Sequence, residues 1–446
     1  MDSEHTCEYR EKVSELEKRL AAIEAELAEY KKPKKNSGNS GVPPSQDRNR
    51  KRYPQREKSD RSSGGQAGHP GHYHPLSENP DEIIPLLPQV CVHCGSLELE
   101  VLDQGGEVRQ EIDIPPVKEY VREYRQYIAQ CRVCGQSSKG IFPDSVQAPV
   151  QMSPSIQGLV GYLKVRYHLS HQKISRFCQE LLGIQLSEGS VQNSLKRLAD
   201  TLKPVYMLVK EMLKQTFVLH SDESTNKVSG KNGYVWVFTN ASLCLFVSAT
   251  SRGYTVIEEL FGNHFPSVWV SDRYNAQLKV NTRHQLCLAH LIRDCRYLIE
   301  AKESQWASDL KLLFQEAIAF RNQHGQEFNP TEPEQAQKIQ HFQKRLSECF
   351  AQPPPSPLEN KLFQGLLNRQ EQLLLFLQYP DVPPTNNTAE QALRNRVVHR
   401  KITGGFRTHT GSRYYDIIAS VMETARKQGK NILNVLTQKE PLIAIS

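Results

Sequence analysis

A chain of 446 residues exceeds what one ordinary hydrophobic core sustains, so about two to four domains are expected. Its 56 Lys and Arg against 49 Asp and Glu leave a formal net charge of +7, and ten cysteines in this length exclude a disulfide scaffold. Residues 1–12 are charged and hold no signal-type apolar segment, and no apolar run approaches a bilayer span, so a soluble, cytoplasmic protein without membrane partners is expected.

The positive charge is clustered. Residues 31–61 carry 11 Lys/Arg against 3 Asp/Glu, and residues 394–430 carry 9 against 2. Two separate basic tracts suit a polyanionic partner, although either one alone reads equally well as a solvated linker.

Tyr9, Val13, Leu16, Leu20, Ile23, Leu27 and Tyr30 recur at alternating spacings of 4 and 3, a heptad seam. Lys12 with Glu17 and Arg19 with Glu24 would pair across a parallel dimer; an amphipathic helix packed on its own chain is the competing reading. Pro33 ends the helix. Residues 34–88 are rich in Ser, Gly, Pro, Asn and basic side chains, which predicts a basic, loosely ordered linker.

Two C-x-x-C-G knuckles follow, Cys91/Cys94 and Cys131/Cys134. Each can present two thiolates on one tetrahedral face, and four soft ligands favour structural Zn²⁺. The alternation across residues 111–130 predicts a hairpin that brings the knuckles together.

Residues 153–204 read as three helices with apolar stripes. The tight turn before the third, and Asn193, Lys196 and Arg197 on its exposed face, resemble a helix-turn-helix; plain helical bundles share that outline. Strand-like segments follow at residues 216–219, 234–239 and 243–249, then a short helix near residues 256–261 and a strand, Val268 to Ser271. Three antiparallel strands, a helix and a further strand is the order of an RNase H-like sheet. Residues 305–378 are helical and read as an insertion. A last helix opens near Asn387, and a basic tail follows.

In that sheet order Asp222 and Asp272 stand at the ends of adjacent strands, and Glu390 lies one turn into the late helix. Two carboxylates facing each other repel unless a cation lies between them, and oxygen-only ligands select Mg²⁺ or Mn²⁺, two of which could serve a phosphodiester. The local alternatives are that Asp272 caps the helix after its strand and that Glu390 closes a capping box with Asn387. Trp236, Trp269, His220 and His290 read as structural, with His290 notable beside Arg293.

The stretches His220-Ser-Asp-Glu-Ser224, Trp269-Val-Ser-Asp-Arg-Tyr-Asn275, Cys287-Leu-Ala-His-Leu-Ile-Arg293 and Asn386-Asn-Thr-Ala-Glu-Gln-Ala-Leu-Arg394 resemble the signatures of the insertion-sequence-66 family of DDE transposases. The heptads, the Asn36-to-Ser45 and Gly64-to-Gly71 stretches, the knuckles and the three helices follow that family's order. The resemblance implies metal-ligand roles for Asp222, Asp272 and Glu390, cleavage at inverted-repeat ends, and transfer of the 3′-hydroxyl to target DNA. Ser224, Arg273 and Asp294 depart from the usual pattern, and none of the three removes a ligand.

The expected architecture is α+β and multidomain: coiled coil 1–32, basic linker 33–88, four-cysteine zinc-binding β domain 89–149, and helix-turn-helix-like DNA-binding domain 150–210. The RNase H-like core follows in two parts, 211–302 and 381–402, around a helical insertion 303–380, with a basic tail 403–446. Expected partners are inverted-repeat and target DNA and a second copy of the chain, at least as a dimer, at the nucleoid; helper proteins stay open. The competing functions are a non-catalytic DNA-binding regulator and a carboxylate-pair glycoside hydrolase.

Overall fold

The computed structural model describes residues 12–20, 23, 35–40, 47, 75–100, 107–114, 117, 119–144, 146 and 148–442. Residues 12–20 and 23 are helical, and Val13, Leu16, Leu20 and Ile23 of the heptad seam are all exposed. Tyr9, Leu27 and Tyr30 lie outside the described residues, as does most of the expected linker.

One piece of that linker is ordered. Residues 35–40 make a compact turn in which Asn36 Oδ1 accepts from the amides of Gly38 at 2.7 Å and Asn39 at 3.1 Å. Asn39 is 1% exposed and donates to Glu300 Oε2 at 2.7 Å. Asn and Ser side chains bond nearby backbone readily, so a polar, apolar-poor segment folds locally where coil was expected.

Around the second knuckle, β1 (Ile128–Gln130) and β2 (Ser137–Lys139) pair antiparallel. The hairpin therefore closes on Cys131–Cys134 itself, and among the described residues no strand spans residues 111–127 to join the knuckles. Each knuckle is built alike. The Gly95 amide returns to Cys91 O at 2.8 Å and that of Gly135 to Cys131 O at 2.9 Å, with both glycines at positive φ (74° and 72°).

Three helices come next: α1 (Pro154–Arg166), α2 (His171–Leu182) and α3 (Glu188–Lys214), capped by Ser153, Ser170 and Ser187. The main sheet and its crossovers follow: β3 (Val218–Val228), β4 (Lys231–Thr239), β5 (Cys244–Ala249), α4 (Thr255–Phe261), β6 (Val268–Ser271), α5 (Asn275–Leu278) and β7 (Arg283–Leu286). Then come α6 (Leu288–Lys302), α7 (Gln305–His324), α8 (Pro333–Cys349), α9 (Pro357–Leu367), α10 (Asn387–Thr403), α11 (His409–Lys427) and α12 (Ile432–Leu436).

The five strands stand in the order β5-β4-β3-β6-β7. The first three form an antiparallel meander, and β6 and β7 run parallel to β3. Ser229 and Gly230, both at positive φ, close the β3–β4 hairpin as a two-residue loop of this kind requires. Helices cover both faces. Along β6, Val268 and Val270 join a core with α6–α9, whereas Trp269 between them joins a core with α1–α3, α10 and α11. The two-residue period of the strand divides them.

Two expectations about boundaries differ from this arrangement. Helix α3 runs through residues 210–211, and α1–α3 share their core with the sheet rather than standing apart. The segment after Thr403 is no tail. Helix α11 buries Tyr415, Ile417, Ile418, Val421 and Met422, and its polar side chains meet the free amides of β5. Asp416 Oδ2 accepts from Ser248 N at 2.8 Å, Ser420 Oγ from Phe246 N at 2.8 Å and Thr424 Oγ1 from Cys244 N at 3.0 Å. Four residues of helix rise about 6.0 Å and two of strand about 6.8 Å, so the two ladders stay in step.

Candidate active site

The pairing of β3 with β6 aligns Val218 with Val268, Leu219 with Trp269 and His220 with Val270. Continued by two residues, that register sets Asp222 opposite Asp272. Asp272 follows the last residue of β6, as expected. Asp222, expected at the end of its strand, lies mid-strand, because the hairpin with β4 carries β3 on to Val228. Alternation points both acids to the face that β6 presents to the α6–α9 side.

Asp272 Oδ1 accepts from the Tyr274 amide at 2.9 Å, while α5, which starts at Asn275, has no side-chain cap. The carboxyl of Asp222 is held well above the usual carboxylate range, first by burial and then by the charges of Glu223, Asp272 and Glu390. Glu223 points to the other face. Its side chain is 1% exposed, Arg252 pairs with it at 2.5 Å, and Gln277 Nε2 donates to it at 2.6 Å. Burial raises its carboxyl, and the charge of Asp272 adds to the rise. Arg252 in turn lies 3.9 Å from the centroid of the Tyr274 ring. Arg273, the departure beside Asp272, pairs with Asp294, the departure after Arg293.

Asn386 fixes the start of α10. It is 2% exposed, donates from Nδ2 to Ser221 O at 2.8 Å, lies 3.1 Å from His220 Nδ1, and bonds Cys287 Sγ through its amide at 3.2 Å. It thus clamps β3, the start of α6 and the start of α10 together, and Glu390 follows one turn later. The capping box, the local alternative for Glu390, does not form among the described residues: the cap position is Asn386, no side chain bonds the helix end, and buried Glu390 Oε1 has no hydrogen-bond partner. That oxygen faces His290 Nδ1 at 3.8 Å.

Among the described residues the tightest ligand group is Cys287, His290 and Glu390, with one ligand atom from each lying within 4.8 Å of the others. The three acids Asp222, Asp272 and Glu390 are coupled by charge but do not close to that distance, nor do three of the four knuckle sulfurs. Within each knuckle the donor chemistry suits a metal: backbone amides donating to Cys91 and Cys131 lower their thiols, first those of His93 and Cys134 respectively.

Reasoning from sequence overlooked Asn386, Glu223, Gln277 and Arg252, and read His290 as structural. Only doubled polar residues ahead of a helix, Asn386 and Asn387, gave a local signal. Trp236 and Trp269 are core residues, fully buried.

The family described as "Transposase IS66 family" matches residues 149–414, which contain the whole sheet, α10 and the acids above. The "zinc-finger binding domain of transposase IS66" matches residues 88–135, which hold all four knuckle cysteines. A family of unknown function matches residues 3–75. Among curated proteins, the uncharacterized protein y4jO of Sinorhizobium fredii is 33% identical over 95 residues, 21% of this chain, and the match spans 30% of that relative's length. With more than half of its residues inside the first match and the zinc-finger domain ahead of it, the chain belongs to the IS66 family of transposases.

Proposed function

We propose that the protein is a DNA transposase with an RNase H-like core, in which Asp222, Asp272 and Glu390 hold two Mg²⁺ or Mn²⁺ ions. The observation that carries this reading is the electrostatic coupling of Asp222, on β3, to Asp272, just past the parallel strand β6, and to Glu390. A carboxyl raised first by burial and then by its acidic neighbours is relieved by a hard cation placed among them. When bound, such ions stabilise charge on the attacking and departing oxygens of an in-line displacement.

Two displacements make up the activity. Water opens a phosphodiester at the end of the element and leaves a 3′-hydroxyl; that hydroxyl then attacks a target phosphodiester and releases a target 3′-hydroxyl, so the second step conserves the number of bonds. The sheet order β5-β4-β3-β6-β7 supports the RNase H-like assignment. Exposed Asn193, Lys196 and Arg197 on α3 are suited to reading DNA, with the tract 31–61 adding sequence-independent affinity. Structural Zn²⁺ at Cys91, Cys94, Cys131 and Cys134 would organise the segment between them, and the exposed heptad face suits self-association.

The test is to incubate the purified protein with DNA bearing the element's own ends, with and without Mg²⁺, and map the breaks. Mg²⁺-dependent breaks at the ends support the reading. End binding with no break in either condition would leave a DNA-binding regulator.

A further inference from the structure

Cys287 and His290 stand at the first turn of α6, Cys287 at the cap position and His290 three residues on, so their side chains share one face. Glu390, from the first turn of α10, meets them although it lies far along the chain. We propose that Cys287, His290 and Glu390 form a second metal site, for a borderline or soft divalent ion such as Zn²⁺, and that filling it withdraws Glu390 from the Asp222–Asp272 pair.

Three features support it. The ligand atoms already gather within 4.8 Å. A tetrahedral ion with bonds of about 2.0–2.3 Å needs ligands roughly 3.3–3.8 Å apart, a side-chain adjustment away. His290 Nδ1 and Glu390 Oε1, 3.8 Å apart, are buried atoms that lack a hydrogen-bond partner among the described residues, and both can offer lone pairs to the same point. Two such atoms left facing each other is a cost that a shared cation removes.

The donor set also fits the ion. Burial, followed by the charge of Arg293, lowers the His290 imidazole, which favours the neutral form that ligates. Burial raises the Cys287 thiol, while the amides of Asn386, His290 and Ala289 oppose that rise and would steady a thiolate on metal binding. A thiolate and an imidazole select against Mg²⁺, so this site and an all-carboxylate site would take different ions. Three protein ligands leave one position open.

The inhibitory consequence rests on the role proposed above for Glu390; the binding site itself does not. The test therefore reads binding first. Full-length protein with its knuckles loaded with Zn²⁺ is titrated with Co²⁺, and one further ion per chain is expected, with tetrahedral visible bands and a near-ultraviolet thiolate-to-cobalt band. Cys287→Ser, whose hydroxyl can still accept the Asn386 amide, should abolish the thiolate band, and His290→Asn should weaken binding at least tenfold. Asp222→Asn should leave the cobalt spectrum unchanged. In Mg²⁺-driven cleavage, added Zn²⁺ should inhibit the native protein and spare Cys287→Ser. A native protein without the thiolate band, or a band that survives in Cys287→Ser, overturns the site. A cobalt site that forms normally beside Asp222→Asn protein that still cleaves would instead overturn the carboxylate triad.

Discussion

Arg396 of α10 and Asp416 of α11 form a 2.5 Å ion pair with side chains only 2% and 5% exposed. The same carboxylate accepts the Ser248 amide, and the guanidinium lies 4.5 Å from the centroid of the Tyr415 ring. One buried pair thus ties the helix that carries Glu390 to its successor and to β5. Asp416→Asn keeps the size but strands a buried guanidinium, so a loss of about 3–5 kcal/mol is expected in urea denaturation. A loss under about 1 kcal/mol would show the pair to be dispensable.

Glu390→Gln separates chemistry from helix capping. Among the described residues no side chain caps α10 and Glu390 Oε1 has no hydrogen-bond partner, so stability should change by less than about 1 kcal/mol while strand cleavage disappears. The check is melting temperature measured beside cleavage for the same variant. Near-normal cleavage would remove Glu390 from the triad.

Asp222→Asn should show the opposite balance. The native carboxyl is buried among like charges, which is a source of instability without a cation. Without added Mg²⁺ the variant should melt higher than the native protein, and with Mg²⁺ it should not cleave. A lower melting temperature in both conditions would mean that Asp222 is held by favourable contacts instead.

His399 supplies a pH test. Burial, with Arg396 and Lys164 beside it, pushes its imidazole down to about 2, and burial pushes His220 to about 4. The folded state therefore refuses protons that the unfolded chain takes up below about pH 6.5. The stability these two histidines leave intact is full above that value and drains away as pH falls below it. His399→Phe keeps the ring packed between Phe406 and Tyr415 and removes one such group, so its stability should fall less steeply between about pH 6.5 and 4. Urea midpoints across that range measure it; parallel curves would clear His399.

Cys94→Ser should cost the protein its tightly held zinc while the melting of residues 148–442 stays within about a degree, since thiolate binding and local folding are linked. Elemental analysis with calorimetry reads both. Full zinc content in the variant would place the ion elsewhere.

The parts of the fold legible in the sequence were those with a local period. Strands β4 and β5 alternate, the three serine-capped helices carry apolar stripes, and Asp272 sits where a strand ends. Strand β7, Arg283–Leu286, escaped notice because it is polar: buried Gln285 donates to Leu286 O at 2.8 Å and accepts the Phe376 amide at 2.8 Å, bonds no periodicity reveals. Helix α11 was misread for a related reason. Asp416, Ser420 and Thr424 resemble a solvent-facing stripe, yet they turn inward to β5. The meeting of Cys287, His290 and Glu390 was invisible because it spans the insertion, and only the docking of α10 through Asn386 creates it.

The ladder of Asp416, Ser420 and Thr424 along β5 has a consequence for incomplete copies of this protein. Strand β5 is the border of the sheet, and its outward amides are satisfied by a helix that follows it 168–180 residues further along the chain. A chain ending before His409 would present that border bare, a row of donors that another chain could pair with strand to strand. Such a truncated chain should therefore aggregate rather than persist as a folded but inactive competitor for DNA.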